Sequence, residues 1–242
     1  SLTYIGGEDT FFVGVKKLMP GCYLVFEDGK ITIGRYFFPT FSPDNSKSVE
    51  EYADEIHETM KLMMSEIKDD DETAQSFLSG GVDSSYVLAM SDAKVASSCG
   101  YEEERFDESL IAKETADLLG VTQVRKIVSP EEYFSIVPYV MYNMEQPLGD
   151  ASAVVFALGC IETAKTTKLC YSGEGSDEFF CGYNMYRNAE RYGDNLPTFY
   201  VGNTNIMKED EKQRILKNYD PEFLPINIVS DIYKQLEEFE EC

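Results

Sequence analysis

Two glycine-rich turns hold the residue types best suited to chemistry in this chain. The first reads Ser79-Gly80-Gly81-Val82-Asp83-Ser84-Ser85, and the second Ser172-Gly173-Glu174-Gly175-Ser176-Asp177-Glu178. Each follows a short apolar run, Ala74 to Leu78 and Lys168 to Tyr171. Small residues let backbone N–H groups approach a ligand closely, and a helix starting at such a turn adds partial positive charge. Ser84 and Ser85 supply hydroxyls at the start of a helix expected to run through Met90. The first turn is therefore read as a cradle for a pyrophosphate group. Asp83 would repel that group unless a divalent cation lay between them, which predicts Mg²⁺. A loop for γ-phosphoryl transfer would end in Gly-Lys-Ser/Thr, and no Lys occurs between Lys68 and Lys94.

Alternating elements would position both turns. A strand over Gln75 to Leu78 leads into a helix, then a strand over Val95 to Cys99 and a helix ending near Leu119, where Gly120 suits the C-cap. Val121 to Val128 is a third strand. Ser129-Pro130-Glu131-Glu132 opens the next helix with a capping box and a first-turn proline, and Pro138 is expected to split it. Asp150 can cap a further helix through about Ala164, before a strand at Leu169 to Tyr171. This order implies an α/β fold with a doubly wound parallel sheet, whose ligands bind at the carboxyl ends of the strands. Upstream, the alternation of Tyr23 and Val25 with Ile31 and Ile33 about Asp28-Gly29 reads as a β-hairpin. Val49 to Ile67 reads as an amphipathic helix with Ile56, Met60, Met63 and Ile67 at helical spacing. Pro39 to Lys47, rich in Ser and Pro, marks the domain boundary.

Composition narrows the function classes. The 242 residues, 43% hydrophobic, suffice for a globular α/β domain with flanking pieces. The longest strongly apolar stretch, Ala153 to Ile161, is far short of the roughly 20 residues that span a bilayer, and the N-terminus is not signal-like. A cytoplasmic protein is expected. The net charge of −23 would repel nucleic acid, whose recognition depends on phosphate contacts. Acidic runs at Asp69 to Glu72, Glu102 to Glu104 and Glu237 to Glu241 are read as solvated surface. Six cysteines, Cys22, Cys99, Cys160, Cys170, Cys181 and Cys242, show no metal-binding spacing and are expected to be reduced and buried, Cys242 excepted. The single histidine, His57, is read as an ordinary helix residue, which leaves no Ser-His-Asp hydrolase.

The first turn resembles the S-G-G-x-D-S loop of the PP-loop ATP pyrophosphatases, an adenine nucleotide alpha-hydrolase-like fold. The second, continued by Phe179-Phe180-Cys181-Gly182-Tyr183, resembles the S-G-E-G-x-D-E-x-F-x-G-Y signature of the glutamine-hydrolysing asparagine synthetases. Leu18 to Phe38 is similar to the closing hairpin of the glutaminase domain that precedes the synthetase domain in that family. The resemblance implies a division into 1–39, the tail of a glutaminase-type domain, and 40–242, a synthetase domain that is incomplete at its C-terminus. Between Arg187 and Cys242 no match is found to the segment that closes the family's active site, and glutamine hydrolysis is expected to be absent.

The implied reaction joins aspartate, ATP and ammonia through β-aspartyl-AMP, releasing pyrophosphate and AMP. Ser79, Gly80, Gly81, Asp83, Ser84 and Ser85 would hold the pyrophosphate; Asp83 and Asp177 would hold Mg²⁺; Leu78, Cys99, Ser172 and Gly173 would surround adenosine. Glu174 would act on ammonia, since lactam-forming relatives carry tyrosine at that position. The alternatives are an amidotransferase for another carboxylate and an inert nucleotide-binding domain. Expected partners are the small substrates and a glutaminase domain, with neither nucleic acid nor membrane; a homo-oligomer is left open.

Overall fold

The computed structural model describes residues 4–39, 44–67, 74–146, 149–184, 186, 207–221 and 224–240. The chain divides into two compact units, 1–43 with 144–149 and 184–242, and 44–143 with 150–183. In the first unit, β1 (Cys22–Glu27) and β2 (Lys30–Arg35) form the expected antiparallel hairpin, with Glu27 opposite Lys30. Asp28 and Gly29 take φ of 50° and 73°, the mirror-image turn whose twist matches the flanking strands. Gly34 leaves room for the Tyr23 ring across the ladder.

The second unit begins with α1 (Val49–Glu66). Its capping box is complete: the Ser48 hydroxyl accepts from the Glu51 N–H, and the Glu51 carboxylate accepts from the Ser48 N–H at 2.7 Å. Then follow β3 (Gln75–Phe77), α2 (Val82–Met90), β4 (Val95–Tyr101), a 3₁₀ turn at Glu104–Phe106, α3 (Ser109–Leu119), β5 (Thr122–Val128), α4 (Pro130–Met144), α5 (Ser152–Thr163), β6 (Cys170–Tyr171) and α6 (Ser176–Phe180). Beyond them, in the first unit, lie α7 (Glu209–Ile215) and α8 (Pro225–Glu240).

The four strands pair in parallel in the order β5-β4-β3-β6. The chain winds outward from β3 to β5 and then returns to add β6 on the other side of β3. Helices cover both faces. On one, Ala96 of β4 and Ala112 and Ala116 of α3 are wholly buried, and together with Leu78, Val87 and Leu88 they form the core. On the other, α5 packs Phe156 against Phe77 with ring centroids 5.1 Å apart, and Gly159 lies close to Cys99. The expected α/β class and parallel doubly wound sheet are observed.

Three local expectations need correction. Pro138 does not split its helix: α4 is continuous from Pro130 to Met144, since a proline that loses the hydrogen bond to the Phe134 carbonyl and crowds it can be absorbed as a local bend while the flanking turns keep their own bonds. The apolar edge of α1 that meets the core is Met60 with Met64, while Met63 is 56% exposed, because packing selects one side of a broad apolar stripe. The cysteines are not buried: Cys160 and Cys181 are exposed and Cys22, Cys99 and Cys170 are half-buried. Cys160 stands on the outer side of α5, and Cys181 follows the short α6 in a left-handed conformation with φ of 56°. Cys242 and the acidic run Asp69 to Glu72 lie outside the described residues. No described helix is long and apolar enough to cross a membrane.

Candidate functional site

Both glycine turns emerge from adjacent strands, β3 and β6, at their carboxyl ends. The first is tied to the helix it starts. The Ser79 and Ser84 hydroxyls lie 2.9 Å apart, the Ser79 N–H donates to Ser84 Oγ at 3.1 Å, and the Gly81 N–H donates to Ser79 Oγ at 3.2 Å. Ser85 Oγ donates to the Gly81 carbonyl at 2.7 Å. Gly80 has φ of 93°, a left-handed conformation that strains other residues. Gly81 caps α2 with no side-chain acceptor for the first-turn N–H groups. Asp83 sits in that same first turn.

The second turn is ordered in a similar way. The Ser172 hydroxyl accepts from the Glu174 N–H at 3.2 Å, and Ser176 Oγ donates to the Gly173 carbonyl at 2.8 Å. Gly175, with φ of 91°, starts α6 and leaves Asp177 in its first turn. Gly182 returns its N–H to the Asp177 carbonyl at 3.0 Å, and a side chain at Gly182 would collide with the Asp177 carboxylate. The downstream glycine of the signature thus makes room for the acid. Glu174 is exposed at the turn's tip.

The two turns meet. A Cβ on Gly173 would lie 2.8 Å from the Ser84 nitrogen, 2.9 Å from the Asp83 carbonyl carbon and 3.1 Å from the Ser84 Cα. No side chain fits between them, so the Asp83–Ser84 peptide and the Gly173 backbone are in direct contact. The contact brings Gly173 of the second turn against Asp83 and Ser84 of the first, with Ser79, Gly80, Gly81 and Ser85 on the same first turn and Ser172, Glu174 and Asp177 on the same second turn. Neither Asp83 nor Asp177 makes an ion pair among the described residues.

The other two singled-out residues are packed within the sheet. Leu78 is 1% exposed, its side chain in the core; its N–H donates to the Ser97 carbonyl at 2.9 Å and its carbonyl accepts from Ser98 Oγ at 2.7 Å. Cys99 lies on the α5 face of β4, its thiol 3.7 Å from the Val155 carbonyl. Burial pushes that thiol's pKa up, against the opposing pull of Lys126. His57 is a helix residue that contacts a neighbour: its Nδ1 lies 3.0 Å from the Tyr86 hydroxyl on α2.

Sequence reasoning missed a polar cluster at the start of α3. Asp107, 8% exposed, accepts from the Ser109 N–H at 3.0 Å, from the Ser109 hydroxyl and from Arg125 of β5. Gly100 makes this possible, since a side chain there would strike the Asp107 carboxylate. Burial raises the Asp107 pKa, but the Ser109 and Arg125 hydrogen bonds outweigh it and hold the carboxyl below its ordinary value. The readable signal was an arginine within a strand and an Asp two residues ahead of a serine that begins a helix.

The family model described as asparagine synthase matches residues 55–227. The chain is 31% identical to an asparagine synthetase (glutamine-hydrolyzing) 1 of Bacillus subtilis (strain 168), over 91% of this chain and 41% of that protein. It is 28% identical to the amidase chyE of Penicillium rubens, over 74% of this chain and 30% of that protein. The chain therefore spans about two fifths or less of these relatives. Among solved structures, an NH3-dependent NAD synthetase from Campylobacter jejuni is similar at 12% identity and a TM-score of 0.36, over 79% of this chain and 96% of that one.

Proposed function

The chain belongs to the asparagine synthase family, and from that premise we propose that it forms an amide at the expense of ATP, through an acyl-adenylate. The observation that carries this reading is the contact of Gly173 with the Asp83–Ser84 peptide, which joins a pyrophosphate cradle to a second acidic turn. In the proposed reaction the β-carboxylate of aspartate attacks the α-phosphorus of ATP. The bond to the bridging oxygen breaks, and pyrophosphate leaves into the amides and hydroxyls of residues 79–85. Ammonia then attacks the acyl carbon of β-aspartyl-AMP, loses a proton to Glu174 and expels AMP, giving asparagine. ATP lies with its adenosine toward Leu78, Cys99, Ser172 and Gly173. Leu78 contributes main chain only, since its side chain is in the core.

Mg²⁺ fits the donors present. Asp83 and Asp177 are two carboxylates without an ion-pair partner among the described residues, on turns that touch, and no group of three or more His, Cys, Asp or Glu among the described residues is placed to hold a metal by itself. Water and phosphate oxygens complete such a site in nucleotide enzymes. When bound, the cation neutralises charge on the leaving pyrophosphate. We assign residues 1–39 to the tail of a glutaminase-type domain that supplies ammonia in the full-length protein.

A related amidotransferase that acts on a different carboxylate is the second reading, favoured by the similarity to an amidase as well as to asparagine synthetases. Incubation of the full-length protein with ATP, ammonia and a panel of carboxylates, aspartate among them, tests both by product chromatography. AMP and pyrophosphate formed with asparagine support the first reading, and AMP with another amide supports the second. ADP and phosphate as the nucleotide products would refute both.

A further inference from the structure

The first turn is braced by side chains of β5, two strands away. Strand residues two apart share a face, and Gln123 and Arg125 both reach toward α3. Arg125 donates through Nε to Ser109 Oγ and through Nη2 to the Asp107 carboxylate. Gln123 Nε2 donates to the Ser109 carbonyl at 2.9 Å and to Ser98 Oγ at 3.0 Å. From these groups two routes lead to the turn. One runs through Ser98, whose hydroxyl donates to the carbonyl of Leu78, the residue just before Ser79. The other runs through the start of α3. A Cβ on Gly80 would lie 3.1 Å from the Glu108 carbonyl oxygen, 3.1 Å from the Ala112 nitrogen and 3.2 Å from Ile111 Cβ. Gly80 therefore rests directly on the first turn of the helix that Asp107, Ser109 and Arg125 pin down.

We infer that Arg125 and Gln123 are positioning residues for the anion cradle of residues 79–85, acting through Asp107, Ser109 and Ser98. They touch no residue of the cradle themselves. Polar groups on this sheet face are costly unless every one is paired, and an alanine-lined contact like that of Ala96 with Ala112 would suffice for packing alone. The paired network fixes the entry and the floor of the turn to within hydrogen-bond tolerance, as closely spaced amides must be fixed to grip a phosphate group.

The nucleotide part of this inference rests on the proposed function, so the test has one readout that does not. Amide hydrogen exchange on the chain without ligand, comparing Arg125→Met with the parent, should show exchange at least tenfold faster at residues 79–85 and at the start of α3, with little change in α5. Val140→Ala, in a buried position on α4, serves as a destabilised control. Calorimetry with Mg-ATP should then show a loss of affinity of roughly 10- to 100-fold in Arg125→Met, a smaller loss in Arg125→Lys, and parental affinity in Val140→Ala. Unchanged exchange at 79–85 in Arg125→Met overturns the inference, as does an affinity loss that follows melting temperature equally in Val140→Ala. If the parent itself does not bind Mg-ATP while exchange at 79–85 rises as expected, the positioning role stands and the nucleotide reading fails.

Discussion

Gly173→Ala is the substitution whose consequence follows most directly from the geometry. The added methyl would lie 2.8 to 3.1 Å from three backbone atoms of Asp83 and Ser84, well inside van der Waals contact. Backbone on both sides cannot turn out of the way as a side chain would, so the two turns must separate by several tenths of an ångström. Inserting one methyl into a packed interior costs about 1–3 kcal/mol. For a domain of this size that is a drop in melting temperature of roughly 2–12 °C. Separation also spreads the donors and acids proposed to face the phosphates, and a misplacement near 1 Å costs on the order of 10²-fold in a catalytic site. Gly120→Ala is the matched control: φ is 68°, so alanine is strained by about 1–2 kcal/mol, but no atom lies within 4 Å of the new methyl and α3 ends at the amino end of β5, opposite the carboxyl ends that carry the turns. Thermal melts with and without Mg-ATP, paired with calorimetry, should show both variants destabilised and only Gly173→Ala impaired in binding, by at least tenfold. Parental stability and affinity in Gly173→Ala would mean that the two turns are not packed together.

Three further outcomes are expected. In the full-length protein, Glu174→Gln should slow amide release at least tenfold more than pyrophosphate exchange into ATP, because in the proposed reaction the residue acts only after the adenylate forms; equal losses would place Glu174 in nucleotide binding instead. Asp107→Asn should lower the melting temperature at neutral pH, with a gap from the parent that closes in acid: a depressed carboxyl pKa stabilises the fold above the ordinary value of about 3.9, and that contribution is lost as pH falls through the lower folded value. A gap that widens below pH 4 would contradict the sign. Alkylation at pH 8 should modify exposed Cys181 well before Cys170, whose pKa burial pushes up to about 11, leaving about one thiolate in a thousand; peptide mapping that finds Cys170 labelled first would refute the described burial.

Much of the fold was legible because its signals are local. Gly120 closes α3 in the left-handed conformation, Ser129 Oγ accepts from the Glu132 N–H at the start of α4, and Asp28-Gly29 makes the hairpin turn. The strand-turn-helix pattern located both glycine turns for the same reason. What the sequence did not disclose depends on long-range approach. That Gly173 is needed for contact with the other turn becomes visible only when β6 is placed beside β3, and the need for Gly80 only when α3 is packed against the first turn. The Asp107–Ser109–Arg125 group was likewise hidden, because its members look like ordinary surface residues until Gly100 opens a space for the carboxylate. Pro138 and the cysteines misled for the converse reason: neighbouring residue types suggested a break and a burial that tertiary packing does not produce.

In the proposed function the two turns form a single Mg²⁺-dependent nucleotide site, and calorimetric titration of this chain with ATP tests this most directly. Binding should be present with Mg²⁺ and at least tenfold weaker in its absence, since Asp83 and Asp177 then face the phosphates unshielded. Asp83→Asn and Asp177→Asn, one from each turn, should each weaken binding of Mg-ATP and reduce its dependence on the cation. Equal affinity for ATP with and without Mg²⁺ in the parent, unchanged in both variants, would contradict the account.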